Sequence, residues 1–234
     1  MLPTRSKNVP DQPGGRRSTA ARRLSSSIAS RIASTRLDRL LIATTSAGKL
    51  GEWQNLLAGL PLRLLTLRDV GIDFDVEETG DTFAENARQK AEAYGRASGV
   101  LTLAEDSGLT VAALGGGPGV LSARWEGSDY THKNALLVRL LEGKHGRERA
   151  CAYVCVVVLR HPDGKTWQVG GEVRGQIARA PAGSGGFGYD PIFYVPRLRK
   201  TLAEIPVHEK DRISHRGRAA RRVRAILCQL LEAG

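Results

Sequence analysis

The chain has 234 residues, of which 41% are hydrophobic and 25% charged, and its formal net charge is +11. This composition is typical of a soluble globular protein of one or two domains. No apolar run approaches the ~20 residues that a transmembrane helix needs, so no membrane association is expected. Its three cysteines, Cys151, Cys155 and Cys228, lack the spacing of zinc ligands and cannot all pair, which favours a reducing, cytoplasmic setting.

Most of the positive charge lies at the N-terminus. Residues 1–36 carry a net charge of +7, which leaves +4 for residues 37–234. The first segment is rich in Ser, Arg, Pro and Gly and poor in large apolar residues, which predicts a basic, disordered extension before one domain over 37–234. An organellar transit peptide, an upstream start codon and a nucleic-acid tether are alternative interpretations of this extension.

The first predicted strand, Leu40-Leu41-Ile42-Ala43, runs into the turn 44–49 and then into a helix with apolar residues at helical spacing. A turn with hydroxyls and a lysine at a helix N-terminus suits phosphate, because free N–H groups and the positive end of the helix dipole meet there. The turn is not a Walker A loop, because that motif needs Gly at position 43 and Ser or Thr at position 50. An ordinary strand-to-helix turn with a surface lysine is the alternative.

An acidic pair, Glu77-Glu78, precedes a second predicted helix, for which Thr79 or Asp81 is the expected N-cap. The helix is predicted to bury Phe83, Ala87, Ala91 and Tyr94. Acidic residues are common at helix starts, so the pair indicates either solvated charge or a metal site.

A third strand, from Val100 to Ala104, is predicted to end at Glu105-Asp106-Ser107-Gly108. Ligands of open α/β sheets bind at the carboxyl ends of strands. Two adjacent carboxylates at such an end indicate a Mg²⁺ site, because Mg²⁺ prefers oxygen ligands and keeps several waters. A turn rich in acids is the alternative.

The second half of the chain begins with a predicted helix over 131–142 and a β-hairpin over 150–178. The loop Ser184-Gly185-Gly186-Phe187-Gly188-Tyr189-Asp190-Pro191 follows, and then a strand over 192–195. Glycines let a backbone approach a ligand closely, and aromatic rings suit a flat base. A glycine-rich hairpin loop is the alternative.

Near the C-terminus, Ser214 is expected to cap an amphipathic helix that runs to about Glu232. Lys210, His215 and Arg216 would cluster at its start, where cations bind phosphate or the carbonyl edge of a base. A solvated basic helix start is the alternative, because the helix carries four further arginines.

Together these stretches resemble the inosine/xanthosine triphosphate pyrophosphatase family over about residues 38–234. Five motifs carry the resemblance, in order: Thr44 to Lys49 with Glu52; Glu78-Thr79-Gly80 with Glu85-Asn86-Ala87; Glu105-Asp106-Ser107-Gly108-Leu109; Ser184 to Pro191; and Ser214-His215-Arg216. The resemblance implies an α/β fold with a mixed, elongated central sheet, flanking helices and two lobes around a nucleotide-binding cleft, usually as a homodimer. It also implies Mg²⁺-dependent hydrolysis of ITP, dITP and XTP to the monophosphate and pyrophosphate, which cleanses the nucleotide pool.

The resemblance implies a role for each matching residue. Asp106 is implied as the catalytic base and, with Glu78, as a Mg²⁺ ligand. The implied phosphate contacts are Thr44, Thr45, Ser46, Ala47, Gly48, Lys49 and Ser107. The implied wall of the base pocket consists of Phe187, Gly188, Tyr189, Asp190, Lys210, His215 and Arg216. Family members usually carry Asn where this chain has Ser46, which keeps a donor but is shorter and lacks the amide.

Two alternative functions stay open. One is a nucleic-acid-binding module that uses the basic extension and the basic C-terminal helix. Acidic residues at 77–85 and 105–106 argue against a phosphate backbone in the cleft, so no specific nucleic acid is expected. The other is a pyrophosphatase of similar fold that acts on a different nucleotide, such as a modified pyrimidine.

Overall fold

The structure is a computed structural model that describes residues 37–233. The extension predicted over residues 1–36 lies outside this range. No helix within residues 37–233 combines the length and the apolar character that crossing a bilayer requires.

A seven-stranded sheet in the order β2-β1-β3-β4-β5-β6-β7 organises the described residues. The strands are β1 Arg39–Ala43, β2 Arg63–Leu65, β3 Leu101–Val111, β4 Ala150–Arg160, β5 Thr166–Ile177, β6 Phe193–Val195 and β7 Lys200–Thr201. β1 is parallel to β2 and β3, whereas the pairs from β3 to β7 are antiparallel. The mixed sheet and the hairpin predicted over 150–178 are therefore confirmed.

The helices are α1 Ala47–Leu56, α2 Phe83–Ser98, α3 Tyr130–Leu140, α4 Val207–Ile213 and α5 His215–Glu232. Ser214 caps α5 as predicted, because its hydroxyl accepts the N–H of Gly217. The N-cap predicted for α2 was wrong: Thr82 caps this helix, and Glu85 bonds back to the Thr82 N–H. This reciprocal capping box satisfies two backbone donors, which a cap at Thr79 or Asp81 would leave without partners.

Two hydrophobic cores cover opposite faces at one end of the sheet. One core joins Leu40, Ile42 and Leu103 to Trp53 of α1 and Val223 of α5. The other core packs the opposite face of β1 and β3 against α2, through Leu41, Ala43, Ala104, Ala87, Ala91 and Tyr94. Burial on both faces explains why β1 is apolar throughout rather than alternating.

A third core lies at the other end of the sheet, where Leu109 and Tyr153 pack with Leu137 and Leu141. Strands β3 and β4 are long enough to contribute residues to the cores at both ends of the sheet. Residues 105–108 of β3 therefore lie between these cores. The prediction that β3 stops at Ala104 was wrong, because residues 105–108 stay paired with residues 154–157 of β4. Apolar pattern alone ends a strand at its first run of polar residues, whereas ion pairs here allow the carboxylates of Glu105 and Asp106 to stay within the sheet.

Candidate active site

A cleft beside the middle of β3 brings the predicted stretches together. A cavity of about 400 Å³ is lined by Thr44, Thr45, Ser46, Lys49, Glu78, Lys90 and Arg124, among others. A narrower cavity is lined by residues that include Asp106, Ser107, Gly188, Tyr189, Asp190, Lys210, His215 and Arg216. Lys49, Glu78 and Phe187 line both cavities. We call the larger one the phosphate-side cavity and the narrower one the base-side cavity.

The adjacent carboxylates of β3 do not act as a pair. Successive side chains of a strand point to opposite faces, and Glu105 contacts Arg216 whereas Asp106 contacts Asn86 and Lys90. The expectation that Glu105 and Asp106 form one Mg²⁺ site is therefore wrong. It depended on a turn at this position, and the strand pleat separates the two groups instead.

Glu105 forms a buried, forked ion pair with Arg216. The Arg216 Nε and one terminal nitrogen lie 3.0 and 2.9 Å from the two Glu105 carboxylate oxygens. Lys49 Nζ is 3.3 Å from Glu105 Oε1, and the Cys155 thiol donates to Oε2 at 3.0 Å. Burial alone would raise the pKa of Glu105, but the charges of Arg216 and Lys49 hold it well below its ordinary range. Glu105 is therefore ionised and structural.

On the opposite face, Asp106 and Glu78 share the ammonium group of Lys90. Lys90 Nζ lies 2.5 Å from Glu78 Oε1 and 3.4 Å from Asp106 Oδ1, and Asn86 Nδ2 donates to Asp106 Oδ2 at 3.2 Å. Burial raises the pKa of Asp106, and Lys90 offsets only part of that rise. Burial alone would lower the pKa of Lys90, but Asp106 and Glu78 outweigh it and raise that pKa.

Lys90 was not among the predicted site residues, although the sequence carries one signal for it. It lies four residues after Asn86, on the buried face that α2 presents to the sheet. A lysine among Ala87, Ala91 and Tyr94 at helical spacing requires a carboxylate partner nearby. That spacing, read against the acidic residues of β3, would have singled out Lys90.

The carboxylates of Glu78 and Asp106 fit a divalent cation. Glu78 and Asp106 both contact the ammonium group of Lys90, so their carboxylates already converge on one cation. Mg²⁺ is commonly held by one or two carboxylates, with waters and substrate oxygens completing its shell. No group of three or more His, Cys, Asp or Glu side chains suited to a metal occurs among residues 37–233.

Lys210 and Arg216 are joined through Glu52 at the base-side cavity. Lys210 Nζ lies 2.5 Å from Asp190 Oδ2 and 2.6 Å from Glu52 Oε1, while the other Glu52 oxygen accepts from Arg216. Burial alone would lower the pKa of Lys210, but Asp190 and Glu52 raise it. Glu52 belongs to the first sequence motif but had no predicted role, and in the structure it connects the two predicted base-contacting cations.

Phe187 connects the glycine-rich loop to the start of α1. A Cβ at Gly48 would lie 2.9 Å from the Phe187 ring, so only glycine permits this packing. The Phe187 N–H donates to Asp190 Oδ2 at 2.8 Å, and Gly186 has φ +70° beside the same carboxylate. The loop backbone therefore approaches the protein's own Asp190 closely, and its predicted close approach to a ligand stays a prediction.

His215 is buried and neutral in this cleft. Its ring stacks on Tyr153 with the centroids 4.6 Å apart, and burial together with Arg216 lowers its pKa well below the ordinary value. The Tyr153 hydroxyl accepts the Tyr189 N–H at 3.0 Å. Within the described part of the chain, His215 Nδ1 has no hydrogen-bond partner.

Ser46 caps α1 in this structure. Its hydroxyl accepts the Lys49 N–H at 3.4 Å, and its own N–H donates to the Thr44 hydroxyl at 3.2 Å. We expect Ser46→Ala to lower the free energy of unfolding by about 1 kcal/mol, and Ser46→Asn to leave it nearly unchanged because Asn caps equally well. Urea unfolding of both variants measures this. Equal stability of Ser46→Ala and the unchanged protein would contradict the capping role.

The open mixed sheet, with flanking helices and a polar cleft beside the middle of β3, defines an α/β protein of the two-faced, open-sheet class. The sequence profile of the Ham1 family matches residues 40–226, and the chain belongs to this family. The dITP/XTP pyrophosphatase of Geobacter sulfurreducens is 45% identical over 78% of this chain and 93% of its own length.

Two solved structures are similar to this one. The HAM1 protein of Coxiella burnetii has a TM-score of 0.75 and 37% identity, covering 82% of this chain and 99% of that chain. The nucleoside-triphosphatase, or dITP/XTP pyrophosphatase, of Mycobacterium abscessus has a TM-score of 0.65 and 41% identity, covering 79% and 98%. The predicted family and fold class are thus confirmed.

Proposed function

We propose that this protein hydrolyses the non-canonical purine nucleoside triphosphates dITP, XTP and ITP to the monophosphate and pyrophosphate, with Mg²⁺ as cofactor. Support comes from the relatives named dITP/XTP pyrophosphatase, which match the chain over most of its length. The observation that carries the proposal is the convergence of Glu78 and Asp106 beside Lys49 and Lys90, next to a narrow cavity that holds Lys210 and Arg216.

Asp106 is the proposed general base. Its Oδ2 is oriented by the Asn86 amide, and its Oδ1 faces Lys90. A carboxylate whose pKa is raised by burial accepts a proton from water more readily than an exposed one does. Release of the monophosphate together with pyrophosphate requires attack at the α-phosphorus, so Asp106 would take the proton of the attacking water there. Lys90 lies close enough to stabilise negative charge that develops beside it.

The charges of the phosphate-side cavity support the proposed requirement for Mg²⁺. Its lining cations are Lys49, Lys90 and Arg124, and its lining carboxylates are Asp75, Glu77 and Glu78, with Asp106 beside them. These carboxylates offset the cations, so a triphosphate alone would meet little net positive charge. Bound Mg²⁺ would neutralise and orient the triphosphate. The turn 44–49 and Ser107 remain the proposed phosphate contacts.

Selectivity for a 6-oxo purine is proposed to come from donors in the base-side cavity. Lys210 and Arg216 point several N–H groups at Asp190, Glu52 and Glu105, and they also lie 5.2 and 5.7 Å from the Phe187 ring centroid. A 6-oxo group can accept a hydrogen bond from such a donor. A 6-amino group donates instead, so it offers no acceptor to the N–H groups of Lys210 and Arg216. A purine with a 6-amino group is therefore expected to bind poorly.

A nucleotide panel tests this function. Purified protein is given dITP, XTP, ITP, ATP, GTP and dUTP, each with Mg²⁺ or with a chelator, and the products are separated by chromatography. We expect monophosphate and pyrophosphate from dITP, XTP and ITP, with ATP about 10²-fold poorer in kcat/KM and no turnover with the chelator. Stepwise release of orthophosphate, or equal rates with ATP, would contradict the proposal.

We also propose that the protein is a cytoplasmic homodimer. All three cysteines are free thiols, and two of them are buried in the core, which suits a reducing compartment. The homodimer follows from the family resemblance alone. Sedimentation equilibrium tests it, and a monomer mass at micromolar concentration would contradict it.

A further inference from the structure

Residues 73–80, here called the strap, form one wall of the phosphate-side cavity without regular secondary structure. Hydrogen bonds attach the strap to α2 along its length. The Tyr94 hydroxyl donates to Asp75 at 3.0 Å, Asn86 accepts the Gly80 N–H at 2.8 Å, and Lys90 pairs with Glu78. On this side, the position of Glu78 depends on a lysine that it shares with Asp106.

Arg124, which also lines the phosphate-side cavity, contacts the strap directly. One terminal nitrogen donates to Glu78 Oε2 at 3.2 Å, and the other donates to the main-chain oxygen of Glu78 at the same distance. A guanidinium is a planar, rigid fork. Binding a side-chain oxygen and a main-chain oxygen of one residue therefore fixes both the strap backbone and the direction of its carboxylate.

The loop that carries Arg124, residues 119–125, is firmly anchored. The Ser122 hydroxyl accepts the Leu109 N–H at 2.9 Å, and the Ser122 carbonyl accepts from Tyr189 at 2.8 Å. The buried Lys133 donates to the Ala123 carbonyl at 2.7 Å. Because these partners belong to the core of the fold, the Arg124 backbone is the fixed end of the contact and the strap is the positioned end.

We propose that Arg124 is a positioning residue, which clasps Glu78 in the lining of the phosphate-side cavity and holds its carboxylate beside the Lys90 ammonium that it shares with Asp106. The inference rests on the proposed function, in which Glu78 and Asp106 bind Mg²⁺. The side chain of Arg124 is 49% exposed, so the contact adds little to global stability. Its effect is local: it selects one orientation of Glu78, which Lys90 by itself holds from one side.

The clasp is tested first without any nucleotide. Arg124→Gln removes the charge, Arg124→Lys keeps the charge but loses the fork, and Arg139→Gln is the matched control because Arg139 is exposed on α3. Amide hydrogen exchange is followed in peptides that cover the strap. We expect exchange there to rise about tenfold in both Arg124 variants, as a local opening becomes easier, and to stay unchanged in the control.

A second measurement links the clasp to Glu78. In Arg124→Gln, we expect the Mg²⁺ concentration for half-maximal dITP hydrolysis to rise about tenfold, with a smaller change in kcat at saturating Mg²⁺. In a Glu78→Gln background the Arg124 substitution should have no further effect on kcat/KM, because both act through one interaction.

Three results would contradict the proposed role of Arg124: unchanged amide exchange of the strap in Arg124→Gln, unchanged amide exchange of the strap in Arg124→Lys, or additive losses of kcat/KM in the double variant with Glu78→Gln. Failure of the unchanged protein to hydrolyse dITP or XTP would instead contradict the proposed function. The exchange measurement would still stand in that case, because it uses no nucleotide.

Discussion

Asp106→Asn is expected to lower the turnover of dITP by about 10²–10⁴-fold while the protein stays folded. The amide has nearly the shape of the carboxylate, so packing between β3 and α2 should survive. It cannot accept a proton from water, and it removes one of the two carboxylates that converge beside Lys90. Steady-state kinetics measure the loss of turnover, and a thermal melt of the same sample measures whether the fold is retained.

Magnesium titration separates the two proposed roles of Asp106. If the residue acts mainly as a ligand, high Mg²⁺ should restore part of the rate, whereas loss of a base is not restored at any Mg²⁺ concentration. Asp163→Asn is the control, because Asp163 is exposed in the turn between β4 and β5. Near-normal turnover by folded Asp106→Asn protein would overturn the catalytic assignment and make Glu78 the next residue to test.

Glu105→Gln is expected to act on stability instead, lowering the free energy of unfolding by about 3–5 kcal/mol. The substitution leaves the guanidinium of Arg216, whose side chain is only 2% exposed, without its forked partner. Glu52 still contacts Arg216 but is also shared with Lys210. Urea unfolding measures the loss, with Glu142→Gln as a control because Glu142 is exposed. A loss below about 1 kcal/mol, the scale of a surface pair, would show that Glu52 alone compensates Arg216.

The same comparison has a defined pH dependence. The folded-state pKa of Glu105 lies well below its ordinary range, because Arg216 and Lys49 stabilise the carboxylate. Its contribution is therefore complete above the unfolded pKa of about 4.3 and is lost as pH falls through the lowered folded pKa. The difference in the free energy of unfolding between the unchanged protein and Glu105→Gln should therefore narrow as pH falls below the unfolded pKa. A gap that does not vary with pH would contradict an ionised Glu105.

Local pattern was sufficient for much of the fold. The apolar run at residues 40–43 predicted β1, the long apolar run and the turn residues within 150–178 predicted the β4–β5 hairpin, and Ser214 before an amphipathic run predicted α5. These features depend on neighbours within a few residues, where propensity, periodicity and capping operate. The motifs also sufficed for the family, which the profile match over residues 40–226 confirms.

The partners of the charged residues were decided only by the tertiary structure. Glu105 and Asp106 are adjacent, yet the pleat of a strand that continues to Val111 sends one to Arg216 and the other to Lys90. Arg124 meets Glu78 across a separation of 46 residues. A carboxylate in a sequence carries the same charge whether it is solvated, paired or available for catalysis. What distinguishes these states is burial and the cation that chain folding brings beside it.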